Sequence, residues 1–135
     1  GIPAADFAPV LNGVLCQRLV RKLCDTCKEA YAPTPQVLAQ LGIPAGRVQA
    51  LYRPPQRREV VCPECGGVGY LGRTAIYELL VLDKTLRQNL AANPKPDAFR
   101  QMAQKSGLRS IQDEGIVLVA KGVTSLQELM RVLKL

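Results

Sequence analysis

The chain has 135 residues, 47% of them hydrophobic, a formal net charge of +7, five cysteines and neither histidine nor tryptophan. This size suits one domain, or a small domain with a metal-stapled insert, and no run approaches the ~20 apolar residues needed to span a bilayer. Without histidine the commonest general base and the usual activator of a nucleophile are missing. With no Gly-x-x-x-x-Gly-Lys-Ser/Thr phosphate loop either, the chain alone is expected to catalyse nothing.

Phe7, Val10, Leu11, Val14, Leu15 and Leu19 recur at three- and four-residue steps, which predicts an amphipathic helix over 6–22. Asp6 would be its N-cap, Pro9 falls in its first turn, and Arg18, Arg21 and Lys22 suit the dipole at its far end. Cys16 would be a small buried side chain within it. Cys24-Asp-Thr-Cys27 follows. Thr34 and Pro35 then predict a short helix running to about residue 41 and closed by Gly42. Residues 50–53 read as a short strand stopped by Pro54-Pro55, and Glu59-Val60-Val61 leads into Cys62-Pro-Glu-Cys65-Gly-Gly.

Beyond residue 69 the glycines of Gly69-Tyr70-Leu71-Gly72 bracket an expected turn. Arg73-Thr-Ala-Ile-Tyr-Glu-Leu-Leu80 reads as a strand of β-branched and aromatic residues. Asp83 caps a predicted helix over 84–92, which Asn93-Pro-Lys-Pro96 breaks. Asp97 opens the next, through about residue 106, with Gly107 as its stop. Ser110-Ile-Gln-Asp113 has the spacing of a capping box before an apolar run ended by Gly122, and Thr124-Ser-Leu-Gln127 repeats the device for a last helix. Successive caps with short loops describe a compact helical bundle. The expected class is α+β, mainly helical: a tetracysteine insert with short strands, then a compact helical C-terminal subdomain.

The two cysteine pairs carry the chemistry. Each two-residue spacing lets a tight turn aim both sulfurs at one point. Four thiolates close a tetrahedral shell around Zn²⁺ at about 2.3 Å per bond, which makes Cys24, Cys27, Cys62 and Cys65 the candidate ligands of one structural zinc. Pro63 fixes φ in the second turn. Gly66-Gly67 permits positive φ after it, so that backbone N–H groups can turn toward sulfur; the first pair has Lys28 there and is the looser match. A rubredoxin-like iron site uses the same spacing, and a redox-active Cys-x-x-Cys is a further alternative. Disulfides are disfavoured: a fifth thiol would be left over, and Gly1-Ile2-Pro3 has the character of a mid-domain start rather than a signal peptide. The 34 residues between Cys27 and Cys62 hold few large apolar side chains. That insert is expected to keep its shape only with metal bound, since zinc contributes an apparent ~10–16 kcal/mol in small zinc peptides.

The charge raises a competing reading, a zinc-ribbon nucleic-acid module. The excess is spread, however: residues 1–73 carry nine Lys/Arg against five Asp/Glu, and 74–135 nine against six. The densest spot is Arg53, Arg57 and Arg58, with only Tyr52 beside it for stacking. A zinc tetrathiolate is itself formally −2, which some of these cations could balance.

Gln17-Arg-Leu-Val-Arg-Lys-Leu-Cys24, the second cysteine pair, Gly69-Tyr-Leu-Gly-Arg-Thr-Ala-Ile-Tyr-Glu-Leu-Leu80 and Gly122-Val-Thr-Ser-Leu-Gln-Glu-Leu-Met-Arg-Val132 follow one another in order. Together they resemble the C-terminal part of the type II secretion ATPase family, GspE, and its relatives that drive type IV pilus assembly. The likeness runs from about residue 8 to 135, and Arg73-Thr74 leans it toward secretion. It implies three parts: 1–22, the final helical part of a RecA-like ATPase core; 23–69, the tetracysteine zinc-binding subdomain; and 70–135, a strand plus a helical C-terminal subdomain. It also implies a cytoplasmic homohexamer, peripheral to the bacterial inner membrane. Such a hexamer would contact inner-membrane platform proteins, with no nucleic-acid partner and no direct membrane insertion. ATP and Mg²⁺ would belong to the full-length protein, whose phosphate loop and histidine box would lie upstream. In that hexamer Arg18, Arg21 and Arg73 are candidates to reach nucleotide across a subunit boundary. Against this stand simpler roles, helix-end charge for the first two and an ion pair with Glu78 for the third.

Overall fold

Pro9, Asn12 and Gly13 break the N-terminal stretch in two. The computed structural model, which describes residues 1–44, 46–56 and 61–134, has a four-residue helix α1 (Ala4–Phe7) and then a long strand β1 (Gly13–Leu23). The helix expected over 6–22 is thus corrected. Asp6 lies in the first turn of α1 rather than at its cap, and the apolar spacing that mimicked a helix belongs to a strand whose pairing is non-local. Gly13 has a reason to be there: a Cβ on it would stand 3.0 Å from the Leu80 carbonyl oxygen, a close backbone approach that favours glycine. Cys16 is exposed on β1 instead of buried.

β1 pairs with β4 (Tyr70–Val81) in a two-stranded sheet. At one end the Leu82 N–H donates to Asn12 O (2.9 Å), and at the other the Cys24 N–H donates to Gly69 O (3.1 Å). One strand's numbering falls as the other's rises, so the pair is antiparallel. β4 begins at Tyr70, so Gly72 lies inside the strand and the turn expected between Gly69 and Gly72 is absent. A second small sheet joins β2 (Glu29–Tyr31) to β3 (Leu51–Arg53), antiparallel, with Glu29 opposite Arg53, Ala30 opposite Tyr52 and Tyr31 opposite Leu51. The remaining helices are α2 (Pro35–Gln40), α3 (Lys84–Ala92), α4 (Pro96–Lys105), α5 (Ile111–Ala120) and α6 (Leu126–Leu133). The fold is α+β with a tetracysteine insert. Among the described residues no helix is long and apolar enough to cross a membrane.

Local chemistry explains most helix ends. Thr34 accepts the Val37 N–H with Pro35 at the first helical position, and Asp83 accepts the Leu86 N–H at 2.7 Å. Two caps are corrected. α4 starts at Pro96 after Lys95, with Asp97 in its first turn rather than at the cap. α6 is capped by Ser125, whose Oγ accepts the Glu128 N–H at 3.1 Å, and Thr124 instead donates its hydroxyl to Arg21 O at 2.8 Å. The expected lead-in at Glu59 and Val60, with Arg57 and Arg58 of the basic cluster, lies outside the described residues.

The chain divides into two compact units, each made of two stretches. The first takes 1–17 and 77–111, with Ala8, Leu82, Leu86 and Ala103 buried. In it Arg87 donates from Nε to Leu11 O and from Nη2 to Asn12 Oδ1, both at 3.0 Å, and Glu78 accepts the Ile111 N–H. The second takes 18–76 and 112–135 and buries Val20, Leu23, Leu51, Ile76, Val119 and Leu129. α5 and α6 meet closely there, because a Cβ on Gly115 would lie 2.2 Å from Leu129 Cδ1.

Candidate metal centre

Each cysteine pair sits in a backbone turn that its own sequence dictates. In the first, the Cys27 and Lys28 N–H groups both donate to Cys24 O, at 3.3 and 3.0 Å. In the second, Gly66 and Gly67 take φ of 59° and 79°, values that a side chain would resist. The chain then curls until the Gly69 N–H donates to Cys65 Sγ at 3.2 Å. That bond is the main cause holding the Cys65 thiol below its ordinary range, whereas burial and then its sulfur neighbours push Cys27 up. A cation at the centre is what would let all four ionise together.

The four sulfurs of Cys24, Cys27, Cys62 and Cys65 lie within 4.8 Å of one another, so they could hold one metal ion. The Cys24–Cys62 sulfurs are 3.9 Å apart and the Cys27–Cys65 sulfurs 3.6 Å. A tetrahedron with metal–sulfur bonds of about 2.3 Å has edges of about 3.8 Å, so the donor set fits zinc in kind and in spacing. A disulfide requires about 2.0 Å, and all five thiols are free. Cys24, Cys62 and Cys65 are buried with Cys27 packed against them, and among the described residues those sulfur side chains make up the cluster.

The centre is tied to the α5–α6 turn. Lys28 Nζ bonds Asp25 at 2.5 Å and Gly122 O at 3.2 Å, over the Tyr52 ring. Gly122 has φ of 68°, and a Cβ there would meet Tyr52 Cδ2 at 2.5 Å. The Leu23 N–H donates to Val123 O at 2.8 Å. The position that made the first cysteine pair look loose is therefore where it is anchored.

Of the three arginines singled out from sequence, Arg21 is committed within the chain. Its Nε and Nη2 donate to Glu128 Oε2 at 3.0 and 2.6 Å, its backbone N–H donates to Oε1 at 3.1 Å, and its guanidinium lies 4.2 Å over Tyr70. Helix-end charge is thus not its role, since it lies on a strand. Arg73 is exposed and, with Arg21, lines a cavity of about 430 Å³. Arg18 is exposed, three residues along the strand from Arg21 and so on the opposite face.

Glu128 escaped the sequence reading. Its side chain has no exposure, and it accepts from Arg131 Nε (2.8 Å) and Nη2 (2.7 Å) besides the three donors of Arg21. Burial alone would raise its pKa; the two arginines outweigh burial and bring it down to about 2. Ser125-x-x-Glu128 was readable as a capping box, but Arg21 lies 107 positions away.

A family model for "Type II/IV secretion system protein" matches residues 1–131. The chain is 34% identical over 132 residues to the type IV pilus assembly ATPase PilB of Thermus thermophilus, covering 96% of this chain and 14% of the relative. It is 38% identical over 134 residues to the type II secretion system ATPase E of Vibrio cholerae, covering 99% of this chain and 25% of the relative. With the type II secretion system protein E of Pseudomonas aeruginosa the identity is 39% over 132 residues, 98% of this chain and 25% of the relative. The chain spans a quarter or less of these curated relatives. With a match over nearly its full length, it belongs to the type II/IV secretion system protein family.

Proposed function

We propose that this chain is the zinc-binding C-terminal part of a hexameric secretion ATPase that powers type II export through pseudopilus assembly. The single observation carrying the reading is the convergence of four sulfurs from two distant turns, in a chain of this family. Cys24, Cys27, Cys62 and Cys65 would hold Zn²⁺, which would supply structural cross-linking and no chemistry. ATP and Mg²⁺ would be bound by the full-length protein. In the proposed arrangement 1–22 closes the ATPase core, 23–69 is the zinc subdomain and 70–135 the C-terminal subdomain. The exposed Val14, Leu15 and Leu19 on β1, and Leu71, Tyr77 and Leu79 on β4, support a place for these strands against a larger core.

The chain itself would serve subunit packing and contacts with inner-membrane platform proteins, on the cytoplasmic side. Of the nucleotide contacts, exposed Arg73 is better placed than Arg21, which Glu128 already engages; Arg18 remains in the set. The likeness to PilB supports the equivalent part of a type IV pilus motor as a second reading.

The purified chain is expected to hydrolyse no ATP. In the full-length protein, Cys24→Ser with Cys62→Ser should abolish secretion and most ATPase activity, and Arg73→Ala should lower ATPase activity with the metal retained. An ATPase rate in the isolated chain, or full secretion by the double variant, would overturn the reading.

A further inference from the structure

Within the second unit runs a groove of about 600 Å³. Three guanidinium groups open on it, those of Arg21, Arg53 and Arg131, against one buried carboxylate, Glu128. Arg73 joins Arg21 and Arg131 around the adjoining cavity. Among the described residues the other carboxylate near these arginines is Glu29, 3.8 Å from Arg53 Nε, too far for a hydrogen bond. Four guanidinium groups therefore face two carboxylates among the described residues. The arginine side chains of the groove are 37–60% exposed, so the positive excess reaches solvent. Of the guanidinium nitrogens, Glu128 engages Nε and Nη2 of Arg21 and of Arg131. It fixes both planes while leaving their outer N–H edges to be filled.

We infer that this groove binds an acidic peptide segment of a protein partner, with the outer edges of Arg21, Arg53 and Arg131 taking its Asp and Glu carboxylates. Three features favour a peptide. Arg21 and Arg131 already grip one carboxylate, that of Glu128, through planar N–H forks, the pairing that a peptide carboxylate would repeat on their other edges. Gln56 and Gln127 also line the groove, residues whose side-chain amides suit peptide N–H and C=O groups, and Pro54-Pro55 adds a stiff stretch of its lining. Tyr70 in the groove is already covered by Arg21 at 4.2 Å, and Tyr31 and Tyr52 of a further cavity lie under Arg53 at 5.0 Å and Lys28 at 5.1 Å. Among the described residues the aromatic faces here are thus taken up by cations rather than left for a nucleic-acid base.

The test is fluorescence anisotropy of a short labelled glutamate-rich peptide against the metal-loaded chain. Binding should saturate and weaken with salt. Arg53→Glu should reduce affinity about tenfold, whereas Arg100→Glu, the same charge change on exposed α4, should change it less than about twofold. Arg53→Gln gives a milder reading should the reversal disturb folding, and a melting curve of each variant checks that. Equal loss with Arg100→Glu, or competition by inorganic phosphate or an oligonucleotide as strong as by unlabelled peptide, would overturn the inference.

Discussion

Around the four cysteines the chain buries sulfur against sulfur, with no aliphatic side chain in the cluster among the described residues. Around Glu128 it buries one carboxylate beside Leu129, Ser125 and Thr124, and closes it with two arginines of its own. Both regions put ionisable groups in the interior of a small unit, but they differ in where the opposite charge comes from. In the proposed reading the cysteine lobe imports it, so its stability would belong to the bound ion. The Glu128 junction carries its own, so its stability depends on pH and on the two guanidinium groups. Buried charge costs free energy until it is paired, and these two sites pair it in different ways.

That difference can be broken from either side. Stripping metal with a chelator should have the largest effect, because zinc in small modules contributes an apparent ~10–16 kcal/mol. Hydrogen exchange should then show the amides of β2 and β3 losing protection while α3 and α4 keep theirs. Protection unchanged in β2 and β3 would mean that the lobe stands on its own core.

Glu128→Gln comes next, at about 3 kcal/mol, since it leaves two guanidinium groups without their buried partner. The same residue sets an acid limit. Its pKa is about 2 in the fold against 4.5 ordinarily. The stabilisation is thus fully present above 4.5 and is lost as pH falls toward 2. Its size is about 2–3 kcal/mol once the partial exposure of both arginines is allowed for. Urea melts across that range should steepen for the native chain and stay flatter for Glu128→Gln. Identical slopes would remove the carboxylate from the account.

Gly115→Ala should cost about 1–2 kcal/mol. The clash with buried Leu129 at 2.2 Å exceeds the roughly 1 kcal/mol a helix gains from alanine. A melting curve checks the sign, and any stabilisation would show that α5 and α6 can move apart freely. The smallest effect is expected at Cys16→Ser, within about 0.5 kcal/mol and with metal content unchanged, because the residue is exposed and outside the cluster. Loss of metal there would contradict the ligand set.

Features written in a few consecutive residues were legible in the sequence. The two Cys-x-x-Cys turns, the Asp83 cap and the Thr34-Pro35 start depend on backbone groups within a few positions. What depended on distant partners was not. β1 passed for a helix because its apolar residues recur at three- and four-residue steps, and pairing with β4, some fifty residues on, overrides that local signal. The Ser125-x-x-Glu128 cap was read one residue early, as Thr124-x-x-Gln127. That shift hid Glu128, whose meaning comes from Arg21 on another element. Lys28 looked like a defect in the first turn because the α5–α6 turn it grips lies 94 positions away.

The most direct measurement is native mass spectrometry combined with thiol alkylation on the intact chain. The account expects one zinc per chain, with Cys16 alkylated at once and Cys24, Cys27, Cys62 and Cys65 protected until a chelator is added. A metal-free chain, or one whose five thiols all react together, would contradict it.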